Sequence, residues 1–111
     1  MAEPLEQEIL TITDFENATD FELKHSPNVV ASEQADSLVL NVTIGLNGLT
    51  HPQTEEHLIE WIRVYIGDEI VGEANFGPDD TPEASFEVVK TDAAICVRAF
   101  CNLHGIWETR V

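Results

Sequence analysis

Near the C-terminus the chain reads Cys101-Asn-Leu-His104-Gly105. A thiolate and an imidazole three residues apart are ligand types that can converge on a single metal ion. The run leading to them, Ala93 to Cys101, is rich in β-branched and apolar residues and predicts a strand. On a strand, Ile95, Val97, Ala99 and Cys101 share one face and Arg98 lies on the other. The Cys101 thiol is therefore expected at the strand end, aimed inward. A tight turn at Gly105 would let His104 fold back toward it. Taken alone, the same spacing also describes a structural cysteine beside a loop histidine. The choice depends on what other ligands reach the same point.

The chain has four histidines, His25, His51, His57 and His104. His51 and His57 flank the loop His51-Pro-Gln-Thr-Glu-Glu-His57, and His25 lies in Lys24-His25-Ser-Pro27. Each by itself also reads as a surface or core histidine. None sits at the middle of an alternating strand, however, and in a sandwich the loops and strand ends are where sites are built. Four imidazoles and one thiolate exceed the four ligands of a closed structural zinc site. They leave one position of an octahedron open, as a redox iron needs for its substrate.

These residues need a scaffold of strands. Ser37 to Leu46 alternates, with Leu38, Leu40, Val42, Ile44 and Leu46 on one face and Asn41 and Thr43 on the other. Leu58 to Ile66 is apolar on both faces, Ile59, Trp61 and Tyr65 against Leu58, Ile62 and Val64, which predicts a central strand or one covered by another subunit. Gly67-Asp68 predicts a two-residue type II′ hairpin into a strand over Glu69 to Phe76. Glu83 to Val89 and Asn28 to Ala31 are further strands. Phe21 to Pro27 reads as a short edge strand or a loop, because Pro27 keeps Ser26 extended. The residues after Gly105 read as a short tail through Trp107. The pattern is all-β: about seven short strands, no convincing helix, and turn signals spaced as in an immunoglobulin-like antiparallel β-sandwich.

With 111 residues the chain is expected to form one domain over 21–111, preceded by an acidic arm over 1–20 that packs locally, packs on a neighbouring subunit or is solvated. Its formal charge of −16 argues against nucleic acid and anionic membranes as partners. No apolar run approaches the ~18 residues of a membrane span, and the start lacks a signal-peptide pattern, so a cytoplasmic protein is expected. Cys96 and Cys101 fall on opposite strand faces, which excludes a mutual disulfide and points to a reducing compartment. The two-sided apolar strand predicts a homo-oligomer, a dimer or a tetramer. Of the five basic residues, Lys24 adjoins a candidate ligand.

His51-Pro-x-Thr-x-Glu-His57 followed by Ile59-Glu-Trp61, and Ala99-Phe-Cys101-Asn-Leu-His104-Gly105-Ile-Trp107, resemble the two signatures of the superoxide reductase family. That family includes neelaredoxin and the C-terminal domain of desulfoferrodoxin. Lys24-His25-x-Pro27 resembles its third signature, and the likeness runs over about residues 22 to 108. No cysteine pair precedes His25, so the rubredoxin-like iron module of desulfoferrodoxin has no counterpart here, and the chain resembles the single-iron type.

The resemblance implies an iron held by His25, His51, His57 and His104 in a plane, with Cys101 as axial thiolate and superoxide binding opposite sulfur. It implies one-electron reduction of superoxide to hydrogen peroxide, with a donor such as rubredoxin restoring Fe(II). Lys24 matches the family lysine that attracts superoxide and orders water for proton delivery. Many members carry a Glu two residues before the first histidine; here that residue is Leu23. Glu22, on a segment read as extended, is expected to face away, leaving the ferric iron without a carboxylate. Asn102 is a candidate hydrogen-bond donor to sulfur, and Trp107 a candidate cover for the site's rim. The alternative is a non-catalytic metal-binding or electron-carrier sandwich of blue-copper type. That class usually needs an axial Met, and the only methionine is Met1.

Overall fold

The structure is a computed structural model that describes residues 8–111. The start of the acidic arm, including Glu3, Leu5 and Glu6, lies outside the described residues. Strands β1 (Ile9–Leu10), β2 (Pro27–Glu33), β3 (Ser37–Ile44), β4 (Ile59–Ile66), β5 (Glu69–Asn75), β6 (Glu83–Val89), β7 (Ile95–Cys101) and β8 (Gly105–Arg110) form two sheets. One has the order β1-β8-β7-β4-β5 and the other β2-β3-β6. The expected all-β sandwich is present, its seven main strands being β2 to β8.

Alternation explains the packing. In β3, Leu40, Val42 and Ile44 are buried; they meet Val88 of β6, Ile59, Ile62 and Val64 of β4, and Ile95, Val97, Ala99 and Cys101 of β7 in one core cluster. β4 is central, paired with β5 on one side and β7 on the other. Its two-sided apolarity needs no second subunit. The face assignment of β4 does differ from simple alternation. A register shift between Ile59 and Trp61 puts Ile59 on the inner face with Ile62 and Val64. A bulge inserts one residue and flips everything beyond it to the other face. Trp61 therefore lies outside, stacked on Phe100 at 5.6 Å and joined by Ile106 and Ile9. The β4–β5 hairpin closes with Gly67 at φ 60 and Asp68 in an ordinary conformation, as a type II′ turn requires.

Three features depart from the sequence reading. Phe21 to Pro27 is neither strand nor loop at its start: Asp20–His25 is a short helix, α1. A capping box made it so, with the Thr19 hydroxyl accepting from Glu22 N and the Glu22 carboxylate accepting from Thr19 N. The T-x-x-E spacing at 19–22 was the local signal for it. Second, the tail is strand β8, antiparallel to β7 from Cys96↔Arg110 to Cys101↔Gly105. Third, the described part of the arm packs locally, as one of its expected alternatives had it, but it does so by adding a strand: β1 pairs with β8 in parallel, Ile12 is buried, and the Thr11 hydroxyl donates to the Glu108 carbonyl at 3.1 Å.

Candidate metal centre

The five candidate ligands arrive on four separate pieces of chain. His25 ends α1, and its Nδ1–H donates to the Phe21 carbonyl one turn earlier at 2.6 Å. His51 follows the loop after β3, and its Nδ1–H donates to the Pro52 carbonyl at 2.6 Å. Those bonds fix both rings with Nε2 free of a proton and aimed inward. The 51–57 loop is held by Gln53, which accepts from Ile59 N at 3.0 Å and donates to the Ile59 carbonyl at 2.9 Å. Its far end is closed by Thr54, whose hydroxyl accepts from His57 N at 3.2 Å. Cys101 ends β7, fully buried, and His104 comes back from the β7–β8 turn with Nδ1 at 3.9 Å from Cys101 Sγ.

The rings form a closed circuit. Centroid distances are 4.7 Å for His25–His51, 4.6 Å for His51–His57, 5.0 Å for His57–His104 and 4.9 Å for His104–His25. The His25–His57 diagonal is longer, 6.2 Å, so the four rings mark the corners of a square. The ligand atoms of His25, His57, Cys101 and His104 lie within 4.8 Å of one another. His51 lies outside that tight group but completes the ring circuit. Nε2 of His51 and of His57 are buried with no hydrogen-bond partner among the described residues. A buried polar atom without a partner is costly. Two such nitrogens in one ring circuit, with a buried thiol beside His104, fit a metal ion, and the donor set fits iron. A cavity of about 430 Å³ behind the 51–57 loop shares only His51 with this cluster and carries none of its chemistry.

Electrostatics agree with the geometry. Burial pushes the His51 pKa down to about 4, against the opposing pull of the Pro52 carbonyl. Burial likewise lowers His25 and His57, with His104 adding like-charge repulsion. These rings are neutral at neutral pH and have lone pairs to give. Burial raises the Cys101 pKa, while the backbone N–H groups of Leu103 and His104 act to lower it. A cation at the centre of the square would favour the thiolate.

Around the ligands, some residues do other work than their sequence suggests. Asn102 does not serve the sulfur. Its Oδ1 accepts from Leu58 N at 2.9 Å and its Nδ2 donates to the Glu56 carbonyl at 3.0 Å, clamping the His57 loop to the end of β7. Trp107 covers the rim as expected, stacked on His25 at 5.4 Å, with its indole N–H on the His104 carbonyl at 3.1 Å. Glu22 turns away for a different reason than an extended backbone: its carboxylate is occupied in the capping box. Leu23 points into the core. Phe21 and Gln53 carried no sequence signal of their own.

Lys24 is exposed on α1, and its charge lies close enough to disfavour a protonated His25. It makes no ion pair with a described residue, whereas Arg63 pairs with Glu73, Arg98 with Glu108 at 2.8 Å, and Lys90 with Glu33 at 3.9 Å.

A two-sheet sandwich that gathers four imidazoles and one thiol at one end defines a class: β-sandwich metalloproteins with a His/Cys centre. Residues 17–110 match the Desulfoferrodoxin family, and the chain belongs to that family. It is 30% identical over 99 residues to the superoxide reductase of Pyrococcus abyssi, covering 79% of this chain and 85% of that protein. It is 40% identical over 67 residues to the desulfoferrodoxin of Nitratidesulfovibrio vulgaris, covering 60% of this chain and 49% of that longer relative. The solved superoxide reductase (neelaredoxin) of Ignicoccus hospitalis superposes with a TM-score of 0.72 at 26% identity, covering 93% of this chain and 91% of that one.

Proposed function

We propose that this protein is a superoxide reductase that holds one iron through His25, His51, His57, His104 and Cys101. The closed circuit of four imidazole rings beside a buried thiol, with two ring nitrogens left without partners among the described residues, carries the reading. Bound iron would supply the electron; one electron and two protons turn superoxide into hydrogen peroxide. The chain does the rest. The Phe21 and Pro52 carbonyls hold two rings with Nε2 inward. The N–H groups of Leu103 and His104 support negative charge on sulfur. Lys24 places a cation beside the site, where a net charge of −16 would otherwise repel an anionic substrate. An external one-electron donor such as rubredoxin closes the cycle.

The proposal includes the division into an arm, 1–20, and an iron-binding domain, 21–111. It also includes a homo-oligomer and a cytoplasmic setting; the unpaired thiols of Cys96 and Cys101 support the latter.

The test mixes pre-reduced, iron-loaded protein with superoxide and quantifies peroxide and dioxygen. One peroxide per superoxide without dioxygen, lost in Cys101→Ala, is the expected result. Equal peroxide and dioxygen would mean dismutation, and neither product above background would mean a metal-binding protein without this activity.

A further inference from the structure

We infer that Phe21 is a positioning residue for the metal centre, locking together two ligands from opposite ends of the chain. The inference rests on the ligand set proposed above. Phe21 stands in the first turn of α1, four residues before His25, so both side chains lie on one helix face. Its ring packs on His25 at 4.5 Å and meets His104 edge-on at 4.9 Å and Trp107 at 5.7 Å. Trp107 in turn stacks on His25. Four aromatic rings thus form a wedge with Phe21 at the junction between α1 and the β7–β8 turn.

Its exposure argues against a simple core role. Phe21 is 45% exposed, while neighbouring Leu23 points into the interior. A large aromatic left half in water at the edge of a ring cluster contributes little to the hydrophobic core. What it restricts is rotation. Among the described residues no backbone carbonyl holds the His104 ring, unlike His25 and His51, whose Nδ1–H groups are tied to carbonyls. The His104 ring meets His25, His57, Cys101 and Phe21. Three of these are themselves candidate ligands, and Phe21 is the ring that meets it from outside the ligand set. Edge-to-face geometry suits this, because the positive edge of one ring meets the negative face of the other.

The test uses Co(II) as a spectroscopic probe of the full-length protein, with chelator-driven metal release as the second readout. Wild-type protein should show thiolate-to-cobalt absorption; if it does not, the ligand set itself is wrong and the present inference is not what failed. Given that band, Phe21→Leu keeps apolar bulk and helix but loses the ring. It should shift the band and speed metal release by about tenfold to a hundredfold, with the apo protein's melting temperature nearly unchanged. Phe21→Tyr should restore wild-type behaviour. A Phe21→Leu protein with wild-type spectrum and release rate would overturn the inference, as would equal losses in Phe21→Leu and Phe21→Tyr.

Discussion

Removing the side chain of Asn102 tests how the site is assembled. Asn102 follows Cys101 in sequence, yet its amide is spent on Leu58 N and the Glu56 carbonyl, on either side of His57. Asn102→Ala would leave the N–H of Leu58, a buried residue, without its partner, costing about 1–3 kcal/mol. Glu56 is exposed, so water replaces the lost donor to its carbonyl and that bond costs only about 0.5–1 kcal/mol. The sum, about 1.5–4 kcal/mol, corresponds to a fall of roughly 6–16 °C in the apo protein's melting temperature for a domain of this size. Because the same clamp sets where His57 meets the end of β7, metal affinity should fall about tenfold to a hundredfold as well. Asn102→Asp keeps the acceptor for Leu58 N and loses only the exposed bond, so it should fall between wild type and alanine. Calorimetry of apo protein and competition with a chromophoric chelator read the two effects separately. An Asn102→Ala protein that melts lower but binds metal as tightly as wild type would refute the positioning argument. An unchanged melting temperature would refute the energetic one.

Two further outcomes follow from charge. In metal-free protein, burial holds the pKa of His51 at about 4 and lowers those of His25 and His57, so the unfolded chain takes up protons first as the pH falls. Apo stability should therefore be full above about pH 6.5 and decline toward pH 4, with His51 alone contributing up to about 3 kcal/mol. Urea titrations of apo wild type and His51→Gln at pH 7 and pH 5 check this, and equal losses in the two proteins would refute it. Lys24→Ala should slow the reaction with superoxide by roughly twofold to thirtyfold, the effect of about 0.5–2 kcal/mol from one nearby charge. Wild-type rates should fall with added salt, while those of the variant should rise as screening relieves the repulsion from the rest of the chain. Pulse radiolysis at several ionic strengths measures both, and a variant with the wild-type salt slope would refute a local role for Lys24.

Much of this protein is legible from residue types and spacing. Period-two alternation in Leu38 to Ile44 and Ile95 to Cys101 is a direct statement of which face is buried, and the interior agrees with it. Side chains on a strand have no other choice once one face must leave water. The five candidate ligands were legible too, because their types are rare in this chain and their motifs are local.

Local patterns say less where two or more segments must be compared. The bulge that turns Ile59 inward depends on the pairing of β4 with β7, which no window of sequence contains. Strand β8 reads as a tail because Gly105 to Arg110 is only half apolar; it becomes a strand by completing the hydrogen bonds of β7. The short helix α1 had its signal in Thr19 and Glu22, but a Pro two residues after its end favoured an extended reading. The roles of Asn102 and Phe21 lie wholly in contacts between distant segments. Sequence therefore determined which groups could do the chemistry. Only the tertiary structure decided how they are aimed, because ring tautomers, loop clamps and face reversals are set by partners far away along the chain.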